Sequence, residues 1–376
     1  MDDKKLKIAI IFGGRSGEHE VSIVSAMSIM KAINKKKFDI IPVGITKQGK
    51  WICSKGVTKA LKSGNTEKEP EVALIGKPGE NLLMKVNKNK ARNLLRNKKI
   101  DVVLPVLHGP YGEDGTIQGL LELANIPYVG AGVTASAVGM DKHLMKVIFQ
   151  ANDLFTPRFL MIKRKEWQKD KKEIIKRIEK TLKYPIFVKP ASLGSSIGIS
   201  KAHDQKELKE AIDIACQYDR KIMIEQGIKD AREIECSVLG NDNPKASRVL
   251  GEVIPCNEFY DYNAKYIDED SKLIIPAKLP KRVINKIRKI AIEAYKAIDC
   301  AGMARVDFLI QKRTNKIYLS EINTIPGFTS ISMYPKLWEA SGLPYPKLIE
   351  KLIELALERH RDKNRNKTSY ESRLFD

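Results

Sequence analysis

Cysteine is scarce: five residues in 376, Cys53, Cys216, Cys236, Cys256 and Cys300, odd in number and without a CxxC pair. That usage excludes a disulfide framework and predicts free thiols. No apolar run reaches the ~18 residues that span a bilayer. Met1-Asp-Asp-Lys-Lys-Leu-Lys7 leads into a strand where a secretory signal would carry its apolar stretch, so a cytoplasmic protein is expected. HExxH and paired Cys/His spacings are missing, which removes the common zinc sites, and there is no internal repeat. Acidic residues fall short of basic ones, 46 against 67, for a net charge of +21. Such a balance would suit a nucleic acid or an anionic membrane. The lysines, however, cluster at 35–37, 85–99 and 163–183 and in the tail at 359–367, between predicted elements or on their polar faces. A solvated face accounts for them, with attraction of an anionic substrate such as ATP as a lesser benefit, and neither nucleic acid nor membrane is expected as a partner.

What is present is a globular composition, 43% hydrophobic and 30% charged, with room for two or three domains. Lys7 to Phe12 reads as an apolar strand, and Gly13 to Glu20 as a turn. A helix follows from Val21, with Ile23, Met27 and Met30 on one stripe. Strands are predicted at Phe38 to Thr46 and Asp101 to Leu107, a helix at Thr116 to Ala124, and an elaborated lysine-rich connection between Trp51 and Lys99. This alternation implies a parallel sheet covered on both faces. A second unit opens near Ala131 with a helix running through Met140 to Phe149, then the strand Ile186 to Pro190, a small-residue loop Ala191 to Ser196 and a returning strand Ile197 to Ser200. A third unit begins at Ile222. It holds an amphipathic helix, Val283 to Ile298, and a closing helix opened by Pro346, after which the last fifteen residues read as frayed.

The most informative stretch is Ala301 to Ile310 followed by Ile317 to Thr329. Alternation sends Arg305 and Asp307 to one face of the first strand, and Glu321 and Asn323 to one face of the second. Three oxygen donors beside an arginine suit Mg²⁺ and a transferring phosphoryl group. Lys189 ends an apolar strand before a Gly/Ser loop, so its charge and the amides of Gly194 to Ser196 can meet a phosphate. Ile222 to Glu225 ends on a carboxylate and reads as a hinge for an adenine amino group. Three look-alikes fail on context. Gly13 to Gly17 lacks GxGxxG spacing, and Gly44 to Lys50 resembles a P-loop except that Trp51 replaces the metal-holding Ser/Thr. Gly194-Ser-Ser-Ile-Gly198 fits GxSxG but leads into a strand.

Five ordered motifs then carry a resemblance: Phe12 to Ser22, His108 to Gly119, Val188 to Gly198, Glu258 to Tyr266 and Glu321 to Thr329. Together, over about residues 6 to 360, the chain closely resembles the D-alanine–D-alanine ligase family of the ATP-grasp superfamily. The resemblance implies an α/β architecture: an N-terminal Rossmann-like parallel-sheet domain, 1–130, then a two-part ATP-grasp fold, 131–221 and 222–362, with a lid loop at 258–275 and a flexible tail at 363–376. It implies ATP-dependent ligation of two D-alanine molecules through a D-alanyl phosphate, for peptidoglycan precursor synthesis, by a homodimer using ATP and two Mg²⁺ or Mn²⁺ ions. The alternative products are D-alanyl-D-lactate and D-alanyl-D-serine. By motif position, Glu18 would hold the first ammonium in a hydrogen-bonded group with Ser195 and Tyr266, and His108 would line the first subsite. Arg305 and the Gly327 amide would stabilise developing negative charge, and Ser332 would bind the second carboxylate. Lys142, Lys189, Ser196 and Lys265 would contact ATP phosphates, Glu225 and Glu233 the adenine and ribose, and Asp307, Glu321 and Asn323 the metal.

Overall fold

The computed structural model of the chain describes residues 5–86, 92–93, 99–254, 272–329 and 331–369. The N-terminal part contains β1 (Leu6–Gly13), α1 (His19–Ala32), β2 (Phe38–Ile45), β3 (Trp51–Ile52), α2 (Val57–Ser63), β4 (Val72–Leu74), β5 (Leu83–Lys85), β6 (Arg92–Asn93), β7 (Val102–Val106) and α3 (Thr116–Leu123). Next come α4 (Val133–Met140), α5 (Lys142–Ala151), β8 (Phe159–Lys163), α6 (Arg164–Lys169), α7 (Lys171–Thr181), β9 (Ile186–Pro190), β10 (Ser200–Ala202), α8 (Gln205–Tyr218) and β11 (Lys221–Gln226). The last part holds β12 (Ala231–Gly240), β13 (Lys245–Ala246), β14 (Gly251–Ile254), β15 (Lys272–Ile274), α9 (Lys281–Ala297), β16 (Gly302–Gln311), β17 (Ile317–Asn323), α10 (Met333–Ala340) and α11 (Tyr345–Lys363). Among the described residues the strands form four sheets, ordered β3-β2-β1-β7, β4-β5-β6, β10-β9-β11-β8 and β15-β14-β12-β16-β17, with β13 beside β12. No helix among them is long and apolar enough to cross a membrane.

β1 is apolar at nearly every position, and such a strand is stable only if both faces are covered. Alternation divides it: Ile8, Ile10 and Phe12 join Ile23, Ala26 and Ile29 of α1 in one core, while Ala9 and Ile11 join Ile117 and Leu121 of α3 in another. Its neighbours β2 and β7 are parallel to it, as the strand-helix alternation predicts. The stripe predicted for α1 is corrected. Met27 is 37% exposed, and the inward positions include Ser22, Ser25, Ala26 and Ile29. The serines face inward because the helix start abuts strand ends, where backbone groups need partners. Ser22 Oγ accepts the Gly13 N–H at 2.7 Å and donates to the Val106 carbonyl.

Sheet and core membership crosses the expected boundaries at two places. The strand expected to open the third unit, β11, lies inside the central sheet, antiparallel to both β8 and β9. The helices expected to open the central unit instead pack Ala135, Met145 and Phe149 into one core with Ile287 and Ala291 of α9, against the last sheet. A single helix was expected through Met140, but Asp141 adopts an extended backbone and separates α4 from α5. Its carboxylate accepts the N–H groups of His143 and Leu144 at 3.1 and 3.0 Å, so it caps the second helix instead of continuing the first. The closing helix α11 returns to the N-terminal sheet, where Leu348, Ile349, Leu352 and Ile353 share a core with Ile8 and Ile10. It runs on to Lys363, past the point where fraying was expected.

Candidate active site

The first wall of the site is made where β1 stops. Gly13 has φ +94°, and a Cβ there would lie 2.2 Å from the Ile45 carbonyl oxygen, so only glycine allows the chain to turn this close to β2. The turn delivers Glu18 to the start of α1, where its side chain does not cap the helix. It is 5% exposed and accepts a hydrogen bond from Ser195 Oγ, reaching from the loop after β9. That loop holds Ser195 and Ser196 at φ +50° and +59°, a region serine seldom adopts. A Cβ at Gly194 would stand 2.8 Å from Glu18 Oε2, so the slot for the carboxylate also depends on a missing side chain. His108 lies alongside, buried, with Nε2 3.3 Å from Ser25 Oγ. Burial lowers its pKa, only partly offset by Glu18, which favours the uncharged ring.

The second wall is the β16–β17 pair. Register sets Arg305 opposite Asn323 and Asp307 opposite Glu321, and a bulge after Asp307 brings Phe308 opposite Leu319. Alternation along each strand and this unbroken register keep all four polar groups on one face; the bulge, with Ser320 as the extra residue, begins just beyond them. Arg305 donates to both Asp307 oxygens, Nε to Oδ1 at 2.8 Å and Nη2 to Oδ2 at 2.6 Å, and its Nε lies 3.0 Å from Glu235 Oε2. Asn323 Nδ2 donates to Asp307 Oδ2 at 3.0 Å. Burial works against the guanidinium, but Asp307 and Glu235 hold its pKa well above the ordinary value.

The third wall carries lysines. Glu225, 2% exposed, accepts Lys189 Nζ at 2.5 Å and Lys146 Nζ at 2.7 Å. Burial pushes the Glu225 carboxyl up, yet the two ammonium groups win and hold it below its usual range. The Glu225 carboxylate is therefore the counter-ion of two lysines, not the open acceptor expected at a hinge. Lys142 reaches across from α5 to the Leu193 carbonyl at 2.5 Å.

These walls enclose two adjoining cavities, one of about 610 Å³ beside Glu18, His108, Ser195, Asn323, Gly327 and Ser332. The other, about 880 Å³, lies beside Lys189, Glu225, Glu233 and Asp307. Ser196, Glu235, Arg305 and Glu321 line both, so they mark the junction. Lys142 lines the first cavity. Ser332 Oγ accepts the Thr329 N–H at 2.9 Å and would lie 2.9 Å from any Cβ at Gly327. Tyr266 and Lys265, with most of the expected lid, lie outside the described residues. Three residues at the site escaped the sequence reading: Glu113, Glu235 and Lys146.

Two family models match the chain, one described as D-ala D-ala ligase N-terminus over residues 7–131 and one as D-ala D-ala ligase C-terminus over residues 148–354. A D-alanine–D-alanine ligase of Acetivibrio thermocellus is 54% identical over 377 residues, covering 96% of this chain and 98% of its own. The structure of the D-alanine–D-alanine ligase from Coxiella burnetii is similar at a TM-score of 0.82 and 37% identity over 96% of each chain. That of the VanG D-Ala:D-Ser ligase from Enterococcus faecalis gives 0.82 at 36% identity, over 94% of this chain and 100% of that one. The fold is of the ATP-grasp class. Within that class, the chain belongs to the D-alanine–D-alanine ligase family.

Proposed function

We propose that the protein joins two D-alanine molecules into D-alanyl-D-alanine with conversion of ATP to ADP and phosphate, supplying a peptidoglycan precursor. The carrying observation is the meeting, at Arg305, of a carboxylate-lined pocket and a lysine-lined cavity. A substrate ammonium is suited to Glu18, and an ATP polyphosphate to Lys142, Lys189 and the loop at Ser196. Glu233 and the strand end at Glu225 face the nucleoside side, with Lys265 and Tyr266 contributed by the lid on the strength of the resemblance.

The reaction then has two steps at one place. The carboxylate of the first D-alanine attacks the γ-phosphorus of ATP, and ADP leaves. The amine of the second D-alanine attacks the resulting acyl carbon, and phosphate leaves. Negative charge grows in both steps, and Arg305 with the Gly327 amide is positioned to oppose it. Ser332 would receive the second carboxylate, and His108 would close the first subsite. Asp307, Glu321 and Asn323 fit a divalent cation: two carboxylates and one amide oxygen on adjoining strands leave room for phosphate and water, as Mg²⁺ or Mn²⁺ requires. Two such ions, when bound, supply positive charge against the phosphate oxygens. Free thiols and ATP use fit the cytoplasm, and a homodimer is the assembly the family resemblance favours.

ADP release from the purified protein with Mg-ATP tests this reading, using D-alanine, L-alanine, D-serine and D-lactate separately and D-alanine paired with each. D-alanine alone should suffice, with D-alanyl-D-alanine as the main product. Dependence on D-lactate or D-serine for the major product would give the reaction to one of the alternative acceptors.

A further inference from the structure

Glu113 faces the Glu18 cavity, and no step above employs it. It comes from the loop between β7 and α3, and its Oε2 accepts the Gly109 N–H at 2.7 Å. Gly109 has φ +74°, and a Cβ there would stand 2.8 Å from Glu18 Oε2. One glycine thus touches both carboxylates, through its amide on one side and its bare α-carbon on the other. Burial, with the charge of Glu18 added, raises the pKa of Glu113 to about 8; the Gly109 amide, Lys142 and Arg305 oppose that rise without cancelling it. His108, on the same loop, has its pKa lowered by burial and adds no firm positive charge, while Ser195 on the facing loop is neutral.

We propose that Glu113 is the second carboxylate of the amino-acid pocket: with Glu18 it receives the ammonium of the first D-alanine and releases a proton to solvent as that cation enters. Two buried carboxyl groups that flank one glycine and feel each other's charge cannot both ionise cheaply without a compensating cation. In the empty pocket a proton on Glu113 serves that purpose. When the ammonium arrives it takes over the role, and the Glu113 O–H proton passes to buffer while no other bond is made or broken. Binding of the first amino acid is therefore linked to pH through Glu113, tightening as pH rises toward 8. This inference rests on the assignment of the Glu18 pocket to the first D-alanine.

The test is isothermal titration of the full-length protein, loaded with Mg²⁺ and a non-hydrolysable ATP analogue, with D-alanine at pH 7 in MOPS and in Tris. The different ionisation enthalpies of the buffers count the protons released. About one proton per enzyme is expected from the wild type. Glu113→Gln should release none, should bind D-alanine on the order of tenfold more weakly, the weight of one hydrogen bond to a charged group, and should keep its nucleotide affinity. Propionate, which lacks the ammonium, should displace no proton from the wild type, a comparison that needs no variant. Proton release that persists in Glu113→Gln, is absent from the wild type, or accompanies propionate equally would overturn the proposal. Unaltered D-alanine affinity in Glu18→Gln would instead remove the amino acid from this pocket.

Discussion

Arg305 keeps its charge against burial because Asp307 grips it at two points and Glu235 stands behind it. Buried charges are tolerated only when paired in this way, and the same pairing points the guanidinium at the junction of the two cavities. Asp307 holds the arginine and, in the proposed assignment, would also hold the metal. Asp307→Asn keeps the volume but removes a charge from each, and turnover should fall at least ~10²-fold. Its melting temperature should stay within a few degrees of wild type, so that a steady-state assay beside a thermal melt separates chemistry from folding; near-normal turnover at saturating Mg²⁺ would show the donor set to be misassigned. At this scale the sequence displayed most of the site, since the motif residues are also the lining residues. It did not display Lys146, Glu235 or Glu113. Lys146 lies one helical turn after Lys142, and Glu235 two residues after Glu233 on the same strand face, so periodicity held a signal for both. Glu113 sits inside the His108 to Gly119 motif, and only its burial in the folded chain, with the charge of Glu18 added, makes its carboxyl unusual.

Among the elements, α5 bears on the site most directly because it carries Lys142 and Lys146. Its position depends on Asp141, which caps it and also forms an ion pair with Lys221 at the start of β11. Asn is a comparable cap but carries no charge, whereas Ala is neither. Asp141→Ala should therefore destabilise the protein by about 1–2 kcal/mol more than Asp141→Asn does, as read by urea denaturation. Equal losses would mean that the ion pair, and not the cap, holds the helix. A second element, α11, is fastened by Glu350, which accepts Lys347 at 2.9 Å, Asn34 at 3.1 Å and Lys37 at 3.2 Å. The bond from Lys347 leads, burial opposes it, and Asn34 and Lys37 add to it, so the carboxyl falls from an ordinary 4.5 to about 2. A depressed carboxyl contributes stability that is complete above its unfolded pKa and is lost as pH falls toward the folded one. The window is thus pH 4.5 to 2. Because both lysines are more than half exposed, the contribution is about 1 kcal/mol, well below what the full shift would suggest. Glu350→Gln should lower the melting temperature at pH 7 and flatten its decline between pH 5 and 3. A variant whose melting curve parallels wild type across that interval would remove Glu350 from the pH dependence.

Over the whole molecule, the three parts are tied by segments that cross between them. The strand β11 belongs to the central sheet, α4 and α5 to the core of the last, and α11 to the N-terminal core. None of these memberships could be read locally, because an apolar strand or an amphipathic helix specifies only that it must be covered, not by what. The parallel strands β2, β1 and β7 of the N-terminal sheet were legible, since strand-helix alternation fixes them; the antiparallel edge strand β3 was not. The site forms where the three parts meet: Glu18 comes from the first, Lys189 and Ser195 from the second, and Arg305, Asp307 and Glu321 from the third. In the proposed reaction the carboxylate of one D-alanine attacks the terminal phosphorus of ATP at that meeting point. D-alanine labelled with ¹⁸O in both carboxyl oxygens tests it most directly, with mass spectrometry of the phosphate and the dipeptide after turnover with Mg-ATP. One ¹⁸O should appear in each phosphate released, with one left in the peptide carbonyl and two in the terminal carboxylate. Unlabelled phosphate beside fully formed dipeptide, or label in a nucleotide product, would contradict it.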